Sequence, residues 1–463
     1  MYFEQFYLGC LAHASYMFAS EGEAVVVDPQ RDVEIYLEAA QKHGLRIRHV
    51  FETHLHADFV SGHGELAART GATIYIGKAA GASFPHVDVS DGFELRVGKA
   101  RIDVLETPGH TPESVCLVLT DEERSQQPWA ALTGDTLFIG DVGRPDLSKT
   151  HPPEQLAGLM HDSLHQKLLT LPDDVLVYPA HGAGSLCGRN MRAERCSTIG
   201  TERLTNYALQ IGGREEFIRQ MTSNLPARPD YFLEDAAINR SGATPLAELP
   251  ELKPITAVEL KALLGSGAVT LDVRPAEQFT AGHVPGSICI PLSRQFASWA
   301  GAVLGLSSQL VLLADTAEQV AEAQLRLARV GIEDVAGYLE GGVEGWQRAG
   351  FALTQLPQIT VQELQQRLRT NGLGVLDVRR EGEWNAGHIA GADWHPLDRF
   401  RAEMPQIAVE GEVAVHCKSG YRSVIACGLL ERAGHRNIIN IIGGFDAWEK
   451  AQLPVETAST AVA

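Results

Sequence analysis

Four short segments carry the side chains that could do metal chemistry. In Thr53-His54-Leu55-His56-Ala57-Asp58-Phe59, two histidines and an aspartate stand within five residues, directly after the apolar run His49-Val50-Phe51-Glu52. That run reads as a buried strand, and the loop beyond it is free to fold back so that imidazoles and carboxylate converge on one ion. Three further turns follow strand-like runs in the same way. Thr107-Pro108-Gly109-His110 follows Ile102 to Leu105, Thr133-Gly134-Asp135 follows Trp129 to Leu132, and Pro179-Ala180-His181 follows Val175-Leu176-Val177.

A second kind of chemistry is written near the other end of the chain. Val415-His416-Cys417-Lys418-Ser419-Gly420-Tyr421-Arg422-Ser423 places a cysteine between an apolar strand and a helix start. Backbone N–H groups and a helix N-terminus stabilise a thiolate in such a position. Lys418 and Arg422 add positive charge to the same loop. Cys417, Arg422 and Lys418 are therefore the expected catalytic group of this region.

The elements that position these residues fall into three blocks. Val25-Val26-Val27 reads as a buried strand ended by Asp28-Pro29, with Asp28 expected to support the metal loop, and 37–43 and 62–70 read as helices. Between Arg228 and Pro254 the chain turns proline-rich and weakly periodic, which reads as a linker. Beyond it lies an internal repeat of about 100 residues. Ile255-Thr256-Ala257-Val258-Glu259-Leu260, Leu271-Asp272-Val273-Arg274 and Ala281-Gly282-His283 return as Ile359-Thr360-Val361-Gln362-Glu363-Leu364, Leu376-Asp377-Val378-Arg379 and Ala386-Gly387-His388. Each copy closes on Gly-Gly-x-x-x-Trp, at Gly341 and at Gly443. Strands alternate with helical stretches such as 318–329, so each copy is expected to be a small α/β domain with a parallel sheet. The first copy has Ala314 where Cys417 stands in the second, with Asp315 and Glu318 instead of a cationic loop. It cannot carry sulfur. His283 and His388, present in both copies, read as fold residues.

The HxHxD segment followed by PGH, TGD and PAHG turns resembles the metallo-β-lactamase fold over roughly residues 1 to 240. The two-metal hydrolases of that fold, such as glyoxalase II, read THxHxDH; here the last position is Phe59, which cannot bind a metal. The pattern is more similar to the persulfide dioxygenase branch, whose single iron is held by two histidines and an aspartate. Carried over by position, the resemblance implies His54, His110 and Asp135 as ligands, with His56, Asp58 and His181 as supporting residues or further ligands. Two imidazoles and one carboxylate with open positions suit non-haem Fe(II) and O₂, while a zinc hydrolase would also accept three protein ligands and a water. Phe59 points to iron, one per chain. The Gly143-Arg144 pair matches the same branch. It implies a cation near the carboxylates or phosphates of a thiol cosubstrate such as glutathione or coenzyme A, against the alternative of an ion pair with Asp141 or Asp146. Cys187, in Gly182-Ala183-Gly184-Ser185-Leu186-Cys187-Gly188, is read as a substrate-facing thiol or a buried filler.

The repeated segments resemble rhodanese domains in tandem. Phosphatases use a related loop with five residues between cysteine and arginine; four separate Cys417 from Arg422, a smaller cradle that suits one sulfur. The expected architecture is an αββα metallo-β-lactamase sandwich (1–240), a linker (241–254), an inactive rhodanese-like domain (255–356) and an active one (357–463). The expected function is oxidation of a thiol persulfide by O₂ towards sulfite, coupled to a sulfurtransferase that forms or uses thiosulfate. The alternative is a zinc thioester hydrolase with an accessory rhodanese.

With 463 residues, 44% hydrophobic and 21% charged, the composition is that of a globular multidomain protein. The net charge of −19 argues against nucleic acid and against an anionic membrane surface. No apolar run approaches a membrane span, the N-terminal residues lack a basic leader, and seven cysteines show no paired spacing. A cytoplasmic homo-oligomer is expected.

Overall fold

The computed structural model describes residues 1–457 except 224, 226, 294, 370–372 and 408–410. Two compact units are present, Met1–Leu249 with Ala328–Gly331, and Pro250–Leu327 with the chain from Ile332 onward.

The first unit is built on two six-stranded sheets, each with its strands in chain order. One runs from Tyr2–Leu8 to Val87–Val89, the other from Glu94–Val97 to Ser197–Thr198. The facing sides of the sheets share a core that includes Tyr16, Phe18, Phe51, Ile102 and Leu117. Helices Glu34–His43 and His63–Thr70 cover the outer face of the first sheet, where Tyr36, Val50 and Leu66 pack. Helices Pro153–Gln166 and Arg214–Thr222 cover that of the second, around Met160, Leu164 and Phe217. The result is an αββα sandwich. Val25, Val26 and Val27 are wholly buried because their strand has the partner sheet on one side and helices on the other.

The pairing directions decide where the chemistry sits. Ala100–Glu106 and Ala130–Gly134 both run antiparallel to Val115–Asp121, and Ala130–Gly134 is parallel to Leu176–Pro179. The carboxyl ends of those three strands therefore lie on one edge of the second sheet. Val115 N–H donates to the Thr53 carbonyl at 2.8 Å, which brings the end of Arg46–Glu52 from the first sheet to the same edge.

The second unit holds two five-stranded, wholly parallel sheets of identical order. The first is Pro254–Ile255, Val335–Leu339, Leu310–Leu313, Val269–Asp272 and Ile288–Cys289. The second is Gln358–Ile359, Ile438–Ile441, Glu412–His416, Leu373–Asp377 and Asp393–Trp394. The repeated sequence words have repeated physical jobs. Thr256 with Glu259, and Thr360 with Glu363, close capping boxes at equivalent helix starts. Arg274 grips Asp272, and Arg379 grips Asp377, through two guanidinium nitrogens each. His283 stacks on Phe279 at 3.9 Å and His388 on Trp384 at 3.7 Å, so both histidines serve the fold.

The stretch after Arg228 is more structured than its prolines suggest. Tyr231–Ser241 is a helix, and its buried Asn239 belongs to the site described next.

Candidate functional site

The four loops at the sandwich edge bring His54, His110 and Asp135 together, with one ligating atom from each within 4.8 Å of the others. Asp135 Oδ2 lies 3.8 Å from His54 Nε2 and 3.4 Å from His110 Nε2. Asp135 Oδ2 and His110 Nε2 are buried and lack any hydrogen-bond partner. Polar atoms left bare inside a protein are costly. A cation at their meeting point removes that cost, so the donor set fits a divalent metal.

The remaining atoms of the trio are anchored. His110 Nδ1–H donates to the Arg144 carbonyl at 2.9 Å, which leaves Nε2 as a lone pair aimed at the site. His54 Nδ1–H donates to Thr53 Oγ1 at 3.0 Å; that hydroxyl donates to Asp28 Oδ2 at 2.9 Å, and Asp28 Oδ1 accepts from Thr53 N–H at 2.7 Å. His181 Nδ1–H donates to Asp135 Oδ1 at 2.8 Å, while its Nε2 stands 3.0 Å from Asp58 Oδ2. A Cβ on Gly143 would come within 2.1 Å of the Asp135 carbonyl oxygen, so only glycine lets that loop close over the site.

Burial shapes the electrostatics. It pushes His54 well below the usual histidine range and lowers His110, with neighbouring imidazoles adding to the effect and Asp135 opposing it, which favours the neutral forms a ligand needs. Burial would lower His181 too, but Asp135 and Asp58 on either side raise it well above the usual histidine range. Burial likewise opposes the Asp135 carboxylate, and His181, His54 and His110 overcome it.

His56, Asp58 and His181 form a second set of ligating atoms within 4.8 Å of one another. The buried Phe59 ring packs against His56 at 4.5 Å and His13 at 4.2 Å in the same space. His56 faces Asp28 at 3.2 Å and Glu52 at 3.7 Å. Arg144 is buried and binds both Asp146 oxygens at 2.6 and 2.8 Å. Asp141 is engaged instead by the N–H groups of Arg189 and Asn190 and by the Tyr207 hydroxyl. Cys187 is buried, with Sγ in a ligating-distance group with Asp135 and His181. Burial and the Asp58 and Asp135 charges push its thiol well above the ordinary cysteine range.

Three residues were invisible to sequence reasoning. Asn239 donates to the carbonyls of His56 (2.7 Å) and Phe59 (2.8 Å) and accepts from Ser61 N–H (2.8 Å), clamping the metal loop. Glu113 accepts from Leu55 N–H at 3.1 Å. His13, wholly buried, lies beside His56, Phe59 and His181. The Glu after PGHTP was the one local signal available; Asn239 and His13 stand alone in their segments.

In the second unit, Cys417 follows the strand Glu412–His416 and precedes the helix Tyr421–Arg432. Gly420 N–H donates to Cys417 Sγ at 3.1 Å, and Ser423 Oγ lies 3.7 Å away. Gly444 has φ +58° and a Cβ there would meet the Cys417 carbonyl at 2.4 Å, which accounts for the paired glycines. Arg422 is held by both Glu383 oxygens at 2.6 Å, and Lys418 is exposed at the rim. The positive charge of Arg422 is thus balanced by Glu383, and the Gly420 N–H and the Ser423 hydroxyl are the polar groups beside the sulfur. In the first copy Ala314 occupies the matching strand end, after Leu310–Leu313.

Residues 8–181 match the metallo-beta-lactamase superfamily, and residues 256–349 and 360–451 each match the rhodanese-like domain. Human mitochondrial persulfide dioxygenase ETHE1 is 34% identical over 211 residues, covering 44% of this chain and 73% of the human protein. A hydroxyacylglutathione hydrolase from Polaromonas is 36% identical over a shorter stretch of 163 residues, covering 35% of this chain and 57% of that protein. The crystal structure of a metallo-beta-lactamase from Staphylococcus aureus superposes with a TM-score of 0.66 at 35% identity, covering 73% of this chain and 98% of that one.

Proposed function

This chain belongs to the persulfide dioxygenase family of the metallo-β-lactamase superfamily and carries two rhodanese-like domains, and we propose that it oxidises a low-molecular-weight thiol persulfide to sulfite while Cys417 transfers sulfane sulfur to form or use thiosulfate. The observation that carries the reading is the trio of His54, His110 and Asp135, whose ligating atoms converge while their other atoms are anchored.

The proposed resident metal is Fe(II), one per chain, held by that trio; it would supply open positions for O₂ and the persulfide sulfur. The chain's own residues do the rest. Thr53, the Arg144 carbonyl and His181 fix the ligand atoms. Phe59 and His13 exclude water from one side, and Cys187 faces the space beside Asp135. A contact between Arg144 and the acidic groups of glutathione or coenzyme A would require exchange of Asp146. In the second unit, the Gly420 N–H stabilises negative charge on Cys417 Sγ.

The partners in this reading are small molecules: the persulfide, O₂, sulfite and thiosulfate. No helix among the described residues is long and apolar enough to cross a membrane. A cytoplasmic setting and a homo-oligomeric state belong to the proposal. The second reading, a zinc thioester hydrolase, is favoured by the grouping of His56, Asp58 and His181 and by the hydrolase relatives.

The test is product analysis during O₂ uptake. With a persulfide panel, the native enzyme should consume O₂ and yield sulfite plus thiosulfate. Cys417→Ser should keep O₂ uptake, because an oxygen at that position leaves the metal site untouched, and shift products towards sulfite. Thioester hydrolysis without O₂ uptake would overturn the reading.

A further inference from the structure

The first rhodanese-like repeat lacks a cysteine, yet it builds half of a cavity of about 680 Å³ beside the Cys417 loop. That volume is typical of a small-molecule site. Val273, Pro275 and Leu292 of the first repeat face Gly420, Tyr421 and Ile442 of the second across it. Gly420 on its wall donates its N–H to Cys417 Sγ at 3.1 Å, so the cavity adjoins the loop that holds the sulfur. Tyr421 ties the two walls together, its hydroxyl donating to the Pro291 carbonyl at 3.1 Å.

The lining has a definite chemical character. Among its described residues none is lysine, arginine or histidine, and Glu277 is the one carboxylate. Among the described lining residues a small dianion would find no cation. Ile442 is 49% exposed, one of few large apolar side chains left open, and an open aliphatic surface on a cavity wall favours an apolar ligand. Gln319 adds an amide to the lining.

We propose that this cavity binds the organic arm of the thiol that exchanges sulfur at Cys417, an uncharged segment with apolar carbons and amide groups, and that the cysteine-less repeat is its specificity wall. The inference rests on the sulfurtransferase reading of Cys417. In the step it serves, the Cys417 thiolate attacks the outer sulfur of R–S–SH. The new Cys–S–S bond forms, the donor S–S bond breaks, and its electron pair leaves with R–S⁻, which takes the persulfide proton to give R–SH. No net oxidation occurs.

Ala276, half-exposed at the start of the helix Ala276–Ala281, lines the same cavity, and Ala276→Trp fills it while leaving every residue of the Cys417 loop unsubstituted. The full-length enzyme is assayed for sulfur transfer to cyanide from two donors, the persulfide of N-acetylcysteamine and thiosulfate. Loss of buried apolar contact should lower kcat/KM for the uncharged persulfide roughly tenfold or more, with thiosulfate changed by less than about twofold. S-methyl-N-acetylcysteamine, which cannot transfer sulfur, should raise the thermal midpoint of the Cys417→Ala protein but not of the Cys417→Ala, Ala276→Trp double variant. Equal loss with both donors, or loss with neither, overturns the cavity assignment alone. Absence of transfer from either donor in the native enzyme overturns the sulfurtransferase reading and the proposal with it.

Discussion

His181 donates its Nδ1–H to Oδ1 of Asp135 at 2.8 Å and thereby leaves Oδ2 as the oxygen facing His54 and His110. Asp58, 3.0 Å from the other ring nitrogen, holds the imidazole in that role. Removing such an orienting partner typically costs about 10–100-fold in metal affinity. His181→Ala should therefore release iron to a chelator at correspondingly lower concentrations while the fold persists. Unchanged iron retention would show that Asp135 needs no orienting partner.

Asn239 holds the loop 56–61 from helix Tyr231–Ser241. Asn239→Leu strands two buried carbonyls and one N–H, and each unpaired group costs about 1–3 kcal/mol before relaxation. Three such groups give about 3–9 kcal/mol before relaxation, so a loss of about 3 kcal/mol or more is expected, read as a lower thermal midpoint of the metal-free protein, together with weaker metal retention. Asn239→Asp, which can still accept from Ser61, should recover part of the stability. A neutral Asn239→Leu would mean the loop is held elsewhere.

Glu383 gives a signed pH dependence. Burial disfavours its carboxylate, but the paired Arg422 guanidinium outweighs this and holds it below the usual glutamate range. The folded value lies below the unfolded value of about 4.3, so the pair stabilises the fold above that pH and the contribution is lost as pH falls through the folded value. Glu383→Gln should therefore be less stable than the native protein at neutral pH, with the difference shrinking in acid. A difference that is constant across that range would place the cost in packing instead of charge.

The convergence of the four loops was legible because each candidate ligand sits in a turn just past a strand, and strand ends signal themselves by an apolar run followed by glycine or proline. The repeat was legible because identical words recur with identical partners, as in the Arg274–Asp272 and Arg379–Asp377 grips. Helix Tyr231–Ser241 was hidden because its buried positions Tyr231, Phe232, Asp235 and Asn239 include two polar residues, which erases the apolar period. His13 was hidden for another reason: it reaches the site by tertiary proximity alone, within an apolar strand. The balance of Arg422 by Glu383 spans 39 residues, a pairing that no local pattern encodes.

In the proposed function, His54, His110 and Asp135 hold one iron for O₂ chemistry. Its most direct test is elemental analysis of anaerobically purified protein, with persulfide-dependent O₂ uptake followed on the same samples. About one iron per chain is expected, with loss of both iron and O₂ uptake in Asp135→Ala while thiosulfate–cyanide transfer at Cys417 persists. Two tightly held zinc ions per chain, with thioester hydrolysis and no O₂ uptake, would contradict it.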